Sequence, residues 1–575
     1  MSGDLLGAAV PRVDGYEKAT GRAKFTDDFR VPRMAIAGVL RSPHAHARVR
    51  CVDTLRAERL AGVKAIVAST DVPNALHGSM IKDQPAIARD RVRFVGEAVA
   101  AVAAVDEATL QEALSLISVD YEVLPAVFDP IEAMRPDAPL VHEDFQSYVT
   151  QFKFRRYGNV CIHGTISHGD PDRAFELADV VVEETYRTQT VVHGQLETHT
   201  ALAETDSSGR VRLWMATQVP FGARGQLSEP MGSPLSKIRV ISRYIGGGFG
   251  GKTEILDEPL AVLLSFRCGL PVKMTMDRRD EFTVTNPRHA TVIHLKIGAT
   301  GDGKITACAG SYVCDAGAYS GFSPVVASIG AMHLVGPYRV DNVRVEGLAA
   351  LTNKLSAGAY RGPGAPQATF ALESTLDILA RKLNLDPIEL RLKNAVRDGD
   401  RSPTGQVYED IAFNRVLEKT REVYLAAKAE KQPDCGVGVA FGFLGFGAIG
   451  SGASVRSNED GSITVSIGGV ETGGGSNTAF AQIVADEFGL DLSEITVVNG
   501  DTDSTPYDGG AIGSRTTSAL GKAVKGAAQK ARREVLDTAA IMLETDPADL
   551  RLASKMVYVE GSPRRAIPLA VVAEA

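Results

Sequence analysis

Residues 245–254, IGGGFGGKTE, constrain this chain more than any other part of its sequence. They follow a β-rich run, KIRVISRYI, and precede LDEPLAVLLSF, which reads as a helix. Five glycines around Phe249 leave little side-chain bulk, so the backbone there can approach a neighbour closely or take a left-handed φ without penalty. Read literally, Gly246-x4-Gly251-Lys252-Thr253 is a phosphate loop, in which N–H groups cradle phosphates, Lys252 meets the terminal ones and Thr253 a magnesium ion. A P-loop nucleotidase using Gly246 to Thr253 is one expectation. Against it, the segment lies deep in the chain, no strand ending in Asp stands out as a magnesium partner, and the loop has more glycine than phosphate binding requires. A glycine-rich turn without a ligand is another expectation.

At 575 residues the chain is too long for one core, so two to four domains are expected. A hydrophobic content of 44% with 23% charged residues is that of a globular chain. The net charge is −8 and the basic residues are dispersed, which argues against a nucleic-acid groove. Pairs such as Arg155-Arg156 and Arg532-Arg533 read as solvated faces. No secretory signal is expected, because no basic stretch leads into an apolar one near residue 1. No apolar run is long enough to cross a bilayer, so a cytoplasmic protein with no membrane contact is expected. The six cysteines (Cys51, Cys161, Cys268, Cys308, Cys314, Cys435) form no Cys-x-x-Cys and offer neither a zinc nor an iron–sulfur ligand set. Electrons from any redox chemistry here would have to leave through another chain.

The pattern along the chain is α+β. VKAIVAS (63–69) and EAVAAVAA (97–104) read as buried strands, and residues 106–117 as an amphipathic helix capped by Asp106. Residues 125–139, with several prolines, read as a linker. ADVVVEETYRT, VRLWMATQVP and KIRVISRYI alternate as strands. Residues 366–384 read as a long helix opening on Pro366. From about Gly436 the chain returns to strands and glycine loops, and its last residues, IPLAVVAEA, read as the start of a helix.

Further unusual segments share the chain: LETHTALAE (196–204), TQVP (217–220), GAYRGPGAPQ (358–367), GVETGGGSN (469–477) and DTDSTPYDGGAIGSR (501–515). With GRAKFTDD (21–28) and FVGEAVAAV (94–102), they stand in the order that resembles the xanthine dehydrogenase and aldehyde oxidase family of molybdenum hydroxylases. The resemblance implies a small α/β-hammerhead-like domain over residues 1–135, followed by two mixed α/β molybdenum-cofactor-binding domains over 136–410 and 411–575, the last incomplete. It implies a molybdenum–pyranopterin, in the cytosine dinucleotide form usual in bacteria. It also implies partner subunits carrying [2Fe–2S] clusters and FAD, and a small-molecule substrate hydroxylated with oxygen from water. Sulfur donors then come from the cofactor, so no cysteine thiolate is needed at the metal.

By motif position, Gln218 corresponds to the glutamine that bonds the apical oxo group, and Phe249 lies in the loop whose N–H faces the metal, flanked by Gly248, Gly250 and Gly251. Arg361 matches the arginine beside the metal, where a cation would hold an anionic cofactor or product. Gly513 and Ser514 match the segment around the dithiolene. The site residues around molybdenum are thus Gln218, Phe249, Arg361 and Gly513, with Gln218 and Arg361 the catalytic pair. Gly473 to Gly475 match a second glycine loop, usually Gly-Gln-Gly; here Gly474 replaces the glutamine. His193 and His199 read as structural.

Two features depart from the family. Its general base is a glutamate in a Gly-x-Gly-Glu segment, which residues 1–575 lack; Glu97, in Val-Gly-Glu, is not its counterpart. Either a further segment or a complementary chain is expected to supply it, and a half-subunit inactive without that chain is a second expectation. The substrate positions also differ: Thr253 and Glu254 stand where purine oxidisers begin with glutamate, and Pro363 where they stack a phenylalanine. ASIGAMHLVG (327–336) lacks an arginine, and AYRGPG lacks the cysteine of carbon monoxide dehydrogenases. An N-heteroaromatic, an aldehyde or an aryl thioester is expected rather than xanthine.

Overall fold

A computed structural model describes residues 5–445 and 449–575. The fold is α+β, with the strands of the described residues gathered into two large sheets and four small ones. The first large sheet has seven strands, in the order Ile238–Ile241, Val211–Met215, Thr200–Thr205, Val272–Thr275, Ala35–Arg41, Ala98–Ala104 and Val63–Ala68. Its seam is the parallel pairing of Ala35 with Val272, so strands from before and after residue 135 share one sheet. Small residues make this possible: Ala37, Ala101, Ala103, Ala201 and Ala203 are buried with Val272 and Leu260 in a common core. Ala98–Ala104 is buried on both faces, which is why it reads as a continuous apolar run rather than an alternating one.

On the other side of that run, Glu107–Leu116 packs Leu110 and Ala113 against the sheet. The Asp106 carboxylate accepts from Thr109 N at 2.8 Å, a cap worth about 1 kcal/mol.

The second large sheet runs Val180–Thr188, Thr291–Ala299, Ile305–Gly317, Asn342–Leu351 and Val160–His168. The helix Ala365–Lys382 lies on it, burying Ala368, Ala371, Leu372, Leu376 and Leu379 at helical spacing against Ile293, Leu295 and Val182. It starts where Gly364 turns left-handed at φ 79°.

The strand expected across VRLWMATQVP ends at Met215, and Pro220 opens a helix, Pro220–Ser228. Proline lacks an N–H and carries a helical φ, so it suits a first helical turn and not the interior of a paired strand. Gln218 therefore stands at a strand-to-helix junction. A third core lies between the sheet Ala453–Ser457, Ile463–Ile467, Ile495–Asn499 and the helices Ser476–Phe488 and Gly521–Leu543, with Phe480, Val484, Phe488 and Val524 buried. Leu569 and Val572 of the helix Leu569–Glu574 join it. Among the described residues, no helix is long and apolar enough to cross a membrane.

Candidate functional site

Three distant segments meet at Gln218. Its Oε1 accepts from Gly250 N at 2.9 Å and from Lys252 N at 3.4 Å, while its Nε2 donates to Ala511 O at 2.8 Å. Its backbone repeats the pattern: Gln218 N donates to Lys252 O at 2.8 Å and Ala511 N to Gln218 O at 2.9 Å. The approach needs bare backbone. A Cβ on Gly248 would stand 2.4 Å from Gln218 Oε1, and one on Gly510 2.8 Å from Gln218 O.

The glycine loop also touches the Arg361 turn. Arg361 N donates to Phe249 O at 2.7 Å. Phe249 is held left-handed at φ 53° with its ring about half exposed, an uncommon state for a bulky residue. Beneath, His193 stacks on Tyr360 at 4.5 Å and bonds Ala359 O at 2.8 Å through Nε2. Arg288 sits 4.4 Å from the Tyr360 ring centroid and donates to Arg361 O at 2.7 Å. Burial lowers the His193 pKa to about 4, so the ring is neutral at neutral pH. Arg361 itself is exposed, and among the described residues no carboxylate lies within ion-pair distance of it.

Lys252 does not point to solvent. Its side chain is wholly buried against Glu197, Nζ to Oε2 at 2.9 Å, and Glu197 Oε2 also accepts from Gly246 N at 2.8 Å. Burial lowers the Lys252 pKa, while Glu197 opposes the fall. Thr253 Oγ1 donates to Gly250 O at 2.9 Å. These bonds speak against the P-loop expectation, because Gly246, Gly250 and Lys252 give to protein oxygens the donors that a phosphate would need. Behind them His199 bonds Glu281 through Nδ1 at 3.0 Å and Gly251 O through Nε2 at 3.2 Å, so both histidines support the loop from below.

Gly473, Gly474 and Gly475 form the turn ahead of the helix Ser476–Phe488. Gly513 and Ser514, just after Ala511, are both left-handed at φ 55° and both exposed. A cavity of about 150 Å³ has Thr472, Gly474, Gly475, Ser476, Ala511 and Thr516 in its lining. Asp508 and the wholly buried Arg515 hold the chain around Ala511: Arg515 Nη1 bonds Asp508 Oδ1 at 3.0 Å and Gly510 O at 2.7 Å. Among the described residues no group of three or more His, Cys, Asp or Glu side chains could hold a metal ion.

The substrate-pocket candidates scatter. Glu254 accepts from Ser79 Oγ at 2.9 Å and Asn286 Nδ2 at 3.4 Å, so it is engaged toward the N-terminal segment. Burial raises its pKa and pushes that of nearby Asp83 up to about 7. Thr253 stays with the glycine loop, and Pro363 lies in the bend that leads into the helix Ala365–Lys382. Sequence reasoning missed the Lys252–Glu197 pair, the Asp508–Arg515 pair and Glu471, whose carboxylate underlies the second glycine turn. A Glu two residues before a glycine triplet was visible; its burial was not.

Comparison with known proteins finds three regions. Residues 20–125 match the aldehyde oxidase and xanthine dehydrogenase a/b hammerhead domain, and 154–395 and 415–575 match molybdopterin cofactor-binding domains. The chain is 34% identical over 580 residues to the xanthine dehydrogenase molybdenum-binding subunit of Escherichia coli O157:H7, covering 96% of this chain and 75% of that one. It is 37% identical over 420 residues to the nicotinate dehydrogenase large molybdopterin subunit of Eubacterium barkeri, covering 73% of this chain and 96% of the other. Among solved structures, CO dehydrogenase from Oligotropha carboxidovorans superposes with a TM-score of 0.89 at 29% identity, over 98% of this chain and 76% of its own. Quinoline 2-oxidoreductase from Pseudomonas putida 86 gives 0.88 at 29% identity, over 99% and 75%.

Proposed function

This chain belongs to the molybdopterin-binding large subunits of the xanthine dehydrogenase family, and from that premise we propose that it hydroxylates a carbon of an N-heteroaromatic or aldehyde-type substrate, with water as the oxygen source. It is a molybdenum hydroxylase subunit and an oxidoreductase that binds a molybdenum–pyranopterin. The substrate class, the cytosine dinucleotide form, the iron–sulfur and FAD partner subunits, cytoplasmic placement and division near residues 135 and 410 are parts of the proposal.

The observation that carries the reading is the convergence on Gln218 of the Phe249 loop and the Ala511 segment, with Arg361 bonded to Phe249. The residues fit a large anionic group. Two bulky or polar residues, Phe249 and Ser514, are held left-handed at exposed turns, and a cavity whose lining includes Gly474, Gly475, Thr472, Ser476, Thr516 and Thr517 opens where the second glycine turn meets the Ala511 segment. When bound, the cofactor supplies the oxidising centre, which is its own chemistry and not the protein's.

The chain's residues then have these roles. Gln218 carries a second N–H beyond the one given to Ala511, available to an acceptor on the cofactor. The Phe249 loop offers fixed dipoles where negative charge grows, and its prior bonds to Gln218 remove the cost of reorganising it. Arg361, free of a carboxylate among the described residues and held by its backbone at both N and O, presents a cation to the anionic group or product. Gly473, Gly474, Gly513 and Ser514 are assigned to the remainder of the cofactor. Of the substrate-pocket candidates Pro363, in the bend after Arg361, stays with the site, whereas Thr253 is engaged with Gly250 and Glu254 with Ser79 and Asn286. No residue among 1–575 is given the general-base role. The lack of a Gly-x-Gly-Glu segment in those residues keeps a second reading open, in which the chain binds cofactor but turns over only with a complementary chain.

The test is metal analysis and pterin fluorescence of protein matured with cofactor-insertion machinery. Stoichiometric molybdenum and pterin are expected, with dye reduction by N-heteroaromatics or aldehydes exceeding that by xanthine. Absence of both metal and pterin from matured protein defeats the reading.

A further inference from the structure

Glu471 has no part in the roles above, yet it touches both glycine loops. Its carboxylate is wholly buried, with Oε1 accepting from Gly473 N at 2.7 Å and Gly475 N at 3.0 Å. Oε2 accepts from Ser476 Oγ at 3.0 Å and Asn477 N at 3.2 Å. Its backbone O accepts from Ile245 N at 3.0 Å, one residue ahead of the first loop.

The charge is answered by the N-terminal segment. Arg12 Nη2 lies 3.2 Å from Glu471 Oε1 and its Nη1 donates to Gly473 O at 3.0 Å. Lys18 Nζ stands 3.9 Å from the same carboxylate. Asp14 holds both cations, at 3.2 Å to Arg12 Nε and 2.5 Å to Lys18 Nζ. Burial works against the Glu471 charge, but the N–H bonds and Lys18 outweigh it and keep its pKa below the usual carboxylate value.

The consequence is a turn held from one side and open on the other. The amides of Gly473, Gly475 and Asn477 and the Ser476 hydroxyl turn inward to the carboxylate, while Thr472, Gly474, Gly475 and Ser476 also line the cavity shared with Thr516 and Thr517. A helix N-terminus favours an anion, but an unanswered carboxylate directly behind it would repel one. We infer that Glu471 and Arg12 are positioning residues for the anionic part of the cofactor: Glu471 shapes the turn, and Arg12 cancels the carboxylate charge behind it. The inference rests on the cofactor-binding reading above.

Arg12→Ala tests it in matured full-length protein, since the Arg12 side chain is 40% exposed and its loss leaves no cavity in a core. Molybdenum and pterin content is expected to fall about fivefold, the effect of one charge at a helix terminus. Arg12→Lys is expected to restore most of it, and raised salt to narrow the gap in cofactor release rate between wild type and Arg12→Ala. Unchanged content and release, or a loss that Lys does not rescue and salt does not alter, overturns the inference. Amide exchange over residues 473–479 of cofactor-free protein gives a separate readout. It is expected to quicken in Arg12→Ala and in Glu471→Gln; unchanged exchange overturns the inference even if wild type holds no cofactor, a result that would instead defeat the functional reading.

Discussion

In the loop around Phe249, a Cβ on Gly246, Gly248, Gly250 or Gly251 would stand 2.5, 2.4, 2.6 or 2.8 Å from Glu197, Gln218, Ala359 or His193; on Gly473 or Gly474 it would meet nothing within 4 Å. The first loop uses glycine for close approach, so that its own protein can bind its amides. Both loops use glycine for conformation, at Gly247 and Gly250 (φ 93° and 107°) and at Gly473 and Gly475 (φ 102° and 87°), but only the second keeps an open face at Gly473 and Gly474. Gly474, between Gly473 and Gly475, needs glycine for neither reason. Similar strings of glycine thus mark a loop held from within in one place and an open turn in the other.

The contrast can be broken most sharply at Lys252. If the first loop is held from within, Lys252→Ala strands Glu197 and is expected to cost about 3–5 kcal/mol in denaturant unfolding; wild-type stability would mean the pair does not hold the loop. Gly248→Ala forces its Cβ onto Gln218 and is expected to cost about 1–3 kcal/mol, with loss of bound molybdenum by metal analysis.

Asp83 tests how dry the region behind Glu254 is. Burial raises its folded pKa to about 7 from 3.8, so the stabilisation from binding its proton is complete below about pH 3.8 and is lost as pH rises through 7. Asp83→Asn is therefore expected to melt several degrees above wild type at pH 8, the gap closing toward pH 5; a gap that does not vary with pH would show Asp83 to be solvated. The smallest effect is expected at the open loop, where Gly474→Gln should leave unfolding free energy within about 0.5 kcal/mol of wild type. A larger loss would mean that the second loop is as closed as the first.

Much of the architecture was legible. Helical spacing placed Ala365–Lys382 within two residues at its end, and Asp106 marked its own helix start. The strand expected through VRLWMATQVP was overrun because β-branched and aromatic residues up to Met215 outweighed the signal of Pro220. At the site, the order of the glycine segments was readable, and so was the candidacy of Gln218, Phe249 and Arg361. The direction of Glu254 was not, because a carboxylate beside a loop reads alike whether it faces a pocket or, as here, Ser79 and Asn286.

The sequence alone determined the local conformations: where helices begin, which runs are buried strands, and where backbone must be bare. Only the tertiary structure decided which donors remain available. Gln218 meets a carbonyl 293 residues away, and the phosphate-like spacing at Lys252 is consumed by Glu197. The reason is that φ preferences and periodicity act over a few residues, whereas the satisfaction of a buried polar group depends on whatever the whole fold brings beside it.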